Sequence, residues 1–519
     1  MPGFFVENFG CRATQADGAA LERQFEEQGL TRASSTGQAA VVVLNTCTVT
    51  AGADQDARAA IRRVRRQNPE ARIVVTGCYA QRAPEEIAAL PGVDLVVGNS
   101  HKHQLAEITL RSSERVSSEA FVPLSALSSI RQRPLLARPE RSEGIDDQRP
   151  IFVSDIFAHT ELLAAPVFDA ANERTRPNLK VQDGCDNRCS FCVIPYVRGQ
   201  SRSLEMGRIV REIQTLVENG YREVVISGIN LGRWGRDLDV GHQTSDLGPR
   251  TLDLSRGASA VRPSSIHVGT VALGCPGEQS SPLLQPGRGE QPYFEDLIRA
   301  ILEETSLEKL RISSVEPMDW SDELISLVAS SPRIAEHAHV PMQSGSDAVL
   351  RRMHRKYRPW HYREKIENIR AAMPDAAIGA DVMVGFPGET DSEFEATRQM
   401  VEDLPFTYLH VFTYSARPGT PAAEMRNQVP VHVARERNRI LRELAAEKKL
   451  AFMRSFIGKT VEAITLNVVG HDADGEFTEA LTDNYLKLHL RGKHDANRWQ
   501  TANVQNVVAG ALLGVCGRQ

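Results

Sequence analysis

Three cysteines stand close together in the segment DGCDNRCSFCVIPYVRGQSRS, which begins at Asp183. Cys185, Cys189 and Cys192 fall within eight residues, so their thiolates can bind one metal centre from a single loop. A closed tetrahedral site needs four ligands, and this segment contains no fourth cysteine. The spacing favours a 4Fe-4S cluster whose fourth iron stays open to a small molecule.

A zinc site is the alternative interpretation of the same segment. Zinc needs a fourth ligand from elsewhere in the chain, and His337 or His339 could supply it. The gaps of three and then two residues between the cysteines, with Phe191 before the last of them, favour the iron-sulfur cluster.

A second trio of cysteines follows strands that are predicted in the first hundred residues. The apolar runs FFVENF, AVVVLN, RIVVTG and VDLVVG alternate with helical segments such as 54–67, which predicts a parallel sheet with crossover helices. Cys11, Cys47 and Cys78 each follow one of the first three runs. Because the carboxyl ends of parallel strands meet at one edge, we expect these thiols to converge.

The remaining cysteines carry no such pattern. Cys275 and Cys516 match no motif, so we interpret both as ordinary small apolar residues. The same interpretation is the alternative for any single cysteine at a strand end, but three at equivalent strand ends favour a binding site.

The elements that must position these cysteines predict an α/β protein with several domains. Residues 1–110 form the N-terminal α/β domain with a parallel sheet, and residues 111–150, rich in Ser, Arg and Pro, form a linker or insertion. Residues 170–430 contain the strand patterns LKVQ, EVVISG, KLRISS, HAHVPM, AIGADVMVG and YLHVFTY, which predict a partial (β/α)6 barrel with an insertion at 237–290. Residues 452–519 predict a small, OB-like β-barrel.

Composition limits the class of protein. The 519 residues carry a net charge of -5, with 41% hydrophobic and 24% charged residues, which excludes a uniformly basic nucleic-acid coat but not a local basic face. The segment MPGFFVENFGCRATQ lacks the features of a signal peptide, and no apolar run is long enough to span a bilayer. We therefore expect a cytoplasmic protein with no membrane partner, whose clustered cysteines bind metal rather than form disulfides.

The segment from Cys185 to Cys192 resembles the signature of radical S-adenosylmethionine enzymes. That resemblance implies that S-adenosylmethionine binds the open iron and is cleaved to a 5′-deoxyadenosyl radical. With the N-terminal trio and the C-terminal β-barrel, the chain resembles the methylthiotransferases. This implies two 4Fe-4S clusters, the second held by Cys11, Cys47 and Cys78.

The resemblance also implies residues that contact S-adenosylmethionine, while no catalytic side chain is identified. Gly228 and Asn230 follow the second barrel strand, where the family's backbone approaches the cofactor. Glu316, in the segment SSVEP, is a further cofactor candidate, as are Gln343 and Asp381 in segments that resemble the family at later strand ends. The alternatives are a routine turn for Gly228, a structural salt bridge for Glu316 and loop capping for Gln343 and Asp381.

Four residues are candidates for contact with RNA. Arg198 and Arg202 follow the cluster loop, and guanidinium groups suit phosphate or carboxylate. The segment LTDNYLKLHL resembles the TRAM domain, a small β-barrel associated with RNA binding, in which Tyr485 and Lys487 could stack on bases or pair with phosphates. Ordinary surface residues are the alternative in each case.

Within the methylthiotransferases, three segments most resemble the enzymes that act on threonylcarbamoyladenosine. They are VVGNSHKHQLAEI, DIFAHTELLAAPVFDAANERTRPNLKVQDGCDNRCSFCVIPYVRGQSRS and SGINLGRWGRDL. The resemblance implies methylthiolation of C2 of N6-threonylcarbamoyladenosine at tRNA position 37, next to the anticodon. Implied partners are tRNA, a flavodoxin- or ferredoxin-like electron donor and a sulfur donor. The alternatives are isopentenyladenosine in tRNA, an aspartate of a ribosomal protein, and a zinc-containing RNA-binding module without catalysis.

Overall fold

A computed structural model of the protein describes most of the chain. The described residues are 3–114, 149–159, 162, 176–238, 292–472 and 475–516. They confirm the predicted α/β class, with an N-terminal parallel sheet, a central set of parallel strands with helices, and a small C-terminal β-barrel. Most of the predicted linker at 111–150, most of the predicted insertion at 237–290, and Cys275 lie outside the described residues.

The N-terminal unit is a six-stranded, wholly parallel sheet with the strand order β2-β1-β3-β4-β5-β6. Its strands are β1 (Gly3–Asn8), β2 (Thr31–Arg32), β3 (Val41–Thr46), β4 (Arg72–Gly77), β5 (Leu95–Gly98) and β6 (Ile151–Phe152). Its helices are α1 (Arg12–Glu27), α2 (Ala51–Gln67), α3 (Cys78–Arg82), α4 (Pro84–Ala88) and α5 (Leu105–Glu114). Two apolar clusters, one on each face of the sheet, form its core.

The central unit contains two three-stranded parallel sheets, β11-β10-β7 and β12-β13-β14, joined by a bridge between Ser314 and His339. Its strands are β7 (Asn178–Lys180), β8 (Gln182–Asp183), β9 (Arg202–Ser203), β10 (Glu223–Ser227), β11 (Lys309–Ile312), β12 (His337–His339), β13 (Ala377–Val384) and β14 (Tyr408–Thr413). Its helices are α6 (Ile194–Arg198), α7 (Met206–Glu218), α8 (Phe294–Glu304), α9 (Asp322–Ser330), α10 (Asp347–Arg352), α11 (Pro359–Ala372), α12 (Asp391–Asp403) and α13 (Pro421–Glu424). The six parallel strands therefore form an open, partial barrel with β7 and β14 at its edges.

The C-terminal unit is a closed five-stranded barrel that follows the long helix α14 (Val431–Arg454). Its strands are β15 (Thr460–Asp472), β16 (Gly475–Thr482), β17 (Lys487–Arg491), β18 (Trp499–Val508) and β19 (Ala511–Cys516). The strand order is β15-β16-β17-β19-β18, with β17 and β19 parallel, and these strands form the small β-barrel predicted from the sequence.

The N-terminal unit lies across the open side of the central barrel. Helix α1 packs on the edge strand β7, where Asn178 Nδ2 donates to the backbone oxygen of Arg12 at 3.0 Å. At the other edge, the guanidinium of Arg417 pairs with the Asp54 carboxylate of α2 at 2.8 Å. Both edges of the partial barrel are therefore covered by the unit that carries the second cysteine trio.

The C-terminal barrel inserts the loop between β16 and β17 into the amino-terminal end of the central strands. Arg311 of β11 pairs with Glu223 of β10 at 2.7 Å, and both side chains are fully buried. The same guanidinium donates to the backbone oxygen of Asp483 at 2.9 Å, and Lys309 pairs with the Asp483 carboxylate at 3.2 Å. Tyr485 follows in this loop and reaches the barrel interior.

No helix among the described residues is both long enough and apolar enough to cross a membrane.

Candidate functional site

The N-terminal cysteines lie at the carboxyl edge of the first sheet. Cys11 is the N-cap residue of α1, Cys47 directly follows β3, and Cys78 is the first residue of α3. Gly10 has φ +109°, and a Cβ atom there would lie 2.6 Å from the Cβ of Cys47. The loop before Cys11 can therefore approach Cys47 only because residue 10 is glycine.

The three N-terminal thiols influence one another. Burial, together with the nearby thiols of Cys78 and Cys11, raises the pKa of Cys47 to about 12. A thiol with this pKa is protonated at neutral pH, and metal binding replaces that proton. The structure thus brings together the three cysteines that the sequence placed at equivalent strand ends.

The second trio lies in the loop that follows β8, at the carboxyl end of the central strands. Gly184 has φ +73°, and a Cβ there would collide with the backbone oxygen of Gln200. Burial raises the pKa of Cys185, and it raises the pKa of Cys192 to about 12. Arg355 donates from Nη1 to the sulfur of Cys189 at 3.4 Å, so a cation lies beside a set of thiols suited to binding metal.

The two trios adjoin each other across the interface between the units. Cys78 packs in one apolar cluster with Val193 and Val197, and Val193 directly follows Cys192. Asn99 donates to the sulfur of Cys78 at 3.6 Å and to the backbone oxygen of Val197 at 2.7 Å. The side chain of Asn99 therefore ties the N-terminal trio to the helix that follows the central trio.

Two of the predicted cofactor residues lie beside Gln182, and one of them, Asn230, also contacts Cys185. The backbone N–H of Asn230 donates to Gln182 Oε1 at 2.7 Å, and its side chain donates to the Cys185 sulfur at 3.7 Å. Gly228 lies so close to Gln182 that a Cβ would stand 2.9 Å from Oε1. Among the described residues, Asn230 Oδ1 and Gln343 Oε1 are buried without a hydrogen-bond partner. These free acceptors fit the polar ligand, S-adenosylmethionine, that the resemblance implies.

The two predicted carboxylates have protein partners. Glu316 forms an ion pair with Arg355, the residue that also contacts Cys189. Asp381 Oδ1 lies 3.3 Å from His339 Nε2. Glu316 is thus paired near the central cysteine trio, and Asp381 is paired with a histidine of the barrel interior. Contact of either carboxylate with a cofactor stays a prediction.

A cavity of about 610 Å³ opens inside the central barrel and is lined by all three units. Cys11 and Arg12 come from the N-terminal unit, and Tyr485 comes from the C-terminal barrel. The residues that line it are Cys11, Arg12, Ala13, Val49, Ile194, Ser227, Gly228, Ile229, Ser313, Ser314, His337, His339, Tyr408, His410 and Tyr485. One cavity therefore reaches Cys11 of the first trio and Ile194, which stands two positions after Cys192 of the second.

Aromatic rings form one wall of this cavity. The ring centroids of His337 and Tyr408 are 5.9 Å apart in a stacked arrangement, and those of His337 and Tyr485 are 4.9 Å apart. Burial lowers the pKa of His337 well below its usual value and also lowers the pKa of His410. Both imidazoles are therefore neutral at neutral pH, and the wall suits a flat base rather than an anion.

Three side chains on neighbouring strands present ligand atoms to one point of the cavity. His339, Asp381 and His410 lie on β12, β13 and β14, and their ligand atoms are within 4.8 Å of one another. A cation or a hydrogen-bonding ligand could occupy this point. Among the residues that were considered from sequence as zinc ligands, His337 instead bonds the Tyr408 hydroxyl at 2.6 Å.

A buried charge network holds the N-terminal unit against the central one. Two carboxylates and three cations share it, and each is at most one-tenth exposed. Its members are Asp17, Lys102, Lys180, Asp183 and Arg198. Arg198 Nη2 lies 3.0 Å from Asp17, and Nη1 lies 3.0 Å from Asp183. With three cations and two carboxylates, the network carries one excess positive charge, close to the sheet edge that holds the N-terminal cysteines.

Asp17→Asn is expected to lower the free energy of unfolding by about 3–5 kcal/mol at neutral pH, because it leaves buried cations without their partner. Burial alone raises the pKa of Asp17, but the charges of Lys102, Lys180 and Arg198 outweigh it and lower the pKa to about 2. A folded-state pKa below the unfolded value means that this stabilisation is present above about pH 4 and is lost as the pH falls toward 2. Urea unfolding across this range measures the effect.

The matched control is Asp56→Asn, which changes an exposed carboxylate of α2. We expect it to change stability by less than about 0.5 kcal/mol. A wild-type protein no more stable than Asp17→Asn at pH 7 contradicts the assigned role of the network, as does a difference that grows on acidification.

The four candidates for RNA contact occupy different environments. Arg198 is 2% exposed and uses its donors on Asp17 and Asp183, so we assign it to the interface between units instead of to RNA. Arg202 donates to the backbone oxygens of His159 and Arg198. Lys487 is exposed on the C-terminal barrel beside Glu479.

Tyr485 lies in the barrel cavity with φ +66°. Its ring is therefore available to a group that enters this cavity, and its contact with RNA stays a prediction.

Sequence reasoning missed Arg12, Asp17, Arg355 and His410. One signal was available, because Asp17 falls within the apolar stripe of α1 formed by Ala13, Ala16, Ala20 and Leu21. A carboxylate inside such a stripe indicates a buried cation partner. The other residues follow ordinary patterns, and only their partners identify them.

Two family models match the chain. Residues 3–98 match the family described as "Uncharacterized protein family UPF0004", and residues 179–234 and 280–401 match the Radical SAM superfamily. The first match covers the sheet that carries Cys11, Cys47 and Cys78, and the second covers the loop with Cys185, Cys189 and Cys192.

Similar proteins of known name align with nearly the whole chain. "Threonylcarbamoyladenosine tRNA methylthiotransferase MtaB" of Aquifex aeolicus is 32% identical over 95% of this chain and 97% of its own length. The protein of the same name from Bacillus subtilis is 32% identical over 94% of this chain and 90% of its own. "tRNA-2-methylthio-N(6)-dimethylallyladenosine synthase" of Acidothermus cellulolyticus is 31% identical over 94% and 82%. The chain belongs to the radical S-adenosylmethionine tRNA methylthiotransferases, a family of transferase enzymes.

Proposed function

We propose that this enzyme methylthiolates C2 of N6-threonylcarbamoyladenosine at position 37 of tRNA, next to the anticodon, giving 2-methylthio-N6-threonylcarbamoyladenosine. The observation that carries the proposal is the single cavity that reaches both Cys11 and Gly228. A base held there would lie between the two cysteine trios. The relatives from Aquifex aeolicus and Bacillus subtilis, whose names specify threonylcarbamoyladenosine, support this choice of base.

The proposal includes two 4Fe-4S clusters and S-adenosylmethionine. One cluster would be held by Cys185, Cys189 and Cys192, and the other by Cys11, Cys47 and Cys78. When bound, these groups supply the radical, sulfur and methyl chemistry of the reaction. Three cysteines at each site would leave one iron of each cluster without a protein ligand, and that iron would be open to a reacting partner.

The chain's own residues bind and orient the reactants. Asn230 and Gln343 offer buried oxygens that can accept hydrogen bonds from S-adenosylmethionine. Gly228 lines the cavity, and because it has no Cβ the side chain of Gln182 can pack closely against its backbone. Tyr408 and Tyr485, whose rings contact each other in the cavity, would offer aromatic surface for stacking of an adenine.

The same proposal covers partners and domain organisation. The C-terminal barrel at 452–519 would act as a TRAM-like RNA-binding domain, with Lys487 on its exposed face. Residues 1–110 would form the methylthiotransferase domain and 170–430 the radical barrel. A flavodoxin- or ferredoxin-like protein would supply electrons, and a separate donor would supply sulfur.

Nucleoside mass spectrometry tests the proposed function. The gene is expressed in cells without methylthiotransferases of their own, and hydrolysed tRNA is compared with and without it. We expect 2-methylthio-N6-threonylcarbamoyladenosine to appear and its unmethylthiolated precursor to fall. Cys516→Ala is the matched control, because Cys516 lies in β19 outside both trios, and it should leave the product unchanged.

A second substrate has specific support from the relative of Acidothermus cellulolyticus, whose name specifies dimethylallyladenosine. The methylthio derivative of isopentenyladenosine in the same experiment would keep the reaction and replace the substrate. Unmodified tRNA from cells that contain the intact protein would contradict both.

A further inference from the structure

Arg12 is the only permanently charged side chain among the described residues that line the cavity. The imidazoles of His337 and His410 are neutral at neutral pH, as argued above. Arg12 directly follows Cys11, and its guanidinium donates from Nη2 to the hydroxyl of Tyr485 at 3.2 Å. The cavity therefore combines an apolar and aromatic wall with one fixed positive charge.

This charge has no carboxylate partner within the described ranges of the chain, unlike the cations buried nearby. Arg198 pairs with Asp17 and Asp183, and Arg311 pairs with Glu223. A half-buried guanidinium that bonds only a neutral hydroxyl keeps most of its donors for a ligand. The ligand that matches a planar fork of donors is a carboxylate or a phosphate.

We propose that Arg12 binds the carboxylate of the threonylcarbamoyl group and so determines which modified adenosine the enzyme accepts. This inference rests on the proposed function, since it assigns a residue to the part of the substrate that distinguishes it. The threonylcarbamoyl group ends in a carboxylate, whereas the isopentenyl group is an apolar hydrocarbon. An isopentenyl group would leave the guanidinium facing hydrocarbon, so the same residue that attracts one substrate disfavours the other.

Tyr485 is a positioning residue for Arg12 in this arrangement. Its loop is held by the ion pair of Asp483 with Lys309, and its ring lies over the guanidinium of Arg311 at 5.4 Å. The hydroxyl accepts one Arg12 donor, and Arg12 is also one of the residues that line the cavity. The C-terminal barrel thereby contributes to recognition of the base as well as to the proposed contact with RNA.

Equilibrium binding of anticodon stem-loop RNAs tests the inference. The loops carry adenosine, N6-threonylcarbamoyladenosine, its threonine carboxamide, or isopentenyladenosine at position 37, and fluorescence anisotropy gives Kd for each. We expect the wild-type protein to bind the carboxylate form about 10- to 100-fold more tightly than the carboxamide. Arg12→Gln should remove this preference and leave the Kd for unmodified RNA unchanged.

Arg12→Lys should keep part of the preference, because it retains the charge without the planar fork. Tyr485→Phe should reduce the preference by less than Arg12→Gln, since it removes only the hydroxyl. Arg23→Gln, on the exposed face of the same helix, is the matched control and should bind as the wild type does. The absorption of the iron-sulfur clusters, equal in all variants, shows that the neighbouring Cys11 site is intact.

Two results would overturn the inference. Arg12→Gln could lower the affinity for every RNA equally, which would identify Arg12 as a phosphate contact. It could also leave the carboxylate preference unchanged. In both cases the methylthio product formed by the wild-type enzyme would leave the proposed function standing, whereas absence of that product on the threonylcarbamoyl RNA defeats the function and the inference together.

Discussion

Replacing Cys189 with alanine is expected to abolish both 5′-deoxyadenosine and the methylthio product. Cys189 is the middle cysteine of a trio that already lacks a fourth protein ligand, so the variant keeps only Cys185 and Cys192. Arg355, which donates to the Cys189 sulfur at 3.4 Å, would also lose the thiolate it contacts. We expect about half of the protein-bound iron to be lost, because the N-terminal trio is unchanged.

The measurement is liquid chromatography of the purified, anaerobically reconstituted enzyme with dithionite and S-adenosylmethionine, together with iron analysis. Cys516→Ala serves as the control for loss of a thiol as such. Its sulfur lies 3.7 Å from Gln500 in the C-terminal barrel, away from both trios, and the variant should match the wild type. Undiminished 5′-deoxyadenosine from Cys189→Ala would contradict the assignment of the radical site.

Replacing Cys47 with alanine should separate the two halves of the reaction. The variant should lose the other half of the iron and form no methylthio product, yet still cleave S-adenosylmethionine to 5′-deoxyadenosine. The reason is geometric, because Cys47 follows β3 of the N-terminal sheet, whereas the radical trio lies on the central barrel. Cys47 is buried, and removal of one sulfur from a buried site leaves only a small cavity.

The same assay measures both products of Cys47→Ala, and nucleoside mass spectrometry of the RNA shows whether an intermediate without sulfur accumulates. Loss of 5′-deoxyadenosine together with the methylthio product, in a protein whose central cluster remains, would show that the two sites are not separable. A full yield of methylthio product would remove Cys47 from the sulfur-bearing site.

The presence of one cysteine site on each unit also explains why the N-terminal and central units are held together by buried contacts. Cys78 packs on Val193 and Val197, and the charge network of Asp17 and Arg198 lies beside this contact. A group carried on one unit can react with a base held in the other only if their separation is constant. We interpret the buried network as the device that keeps this separation.

Much of the fold followed from patterns that are local in the chain. Strands β1, β3, β4 and β5 were predicted because continuous apolar runs alternate with helical periodicity, and the predicted helical segment 54–67 lies within α2 (Ala51–Gln67). Strands β2 and β6 were missed because each contains only two residues, too few to show a period. Strand β6 comes directly after the predicted linker at 111–150 and pairs with β5.

The sequence by itself determined the two cysteine trios and the sheet edges that carry them. Three cysteines within eight residues must share one loop, and cysteines after parallel strands must share one edge, so neither conclusion requires knowledge of distant packing. The surroundings of the cysteines depended on the tertiary structure. Arg12 meets Tyr485 across 473 positions of the chain, and Asp17 meets Arg198 across 181. No periodicity encodes such pairs, because they arise where the N-terminal unit packs against the other two units.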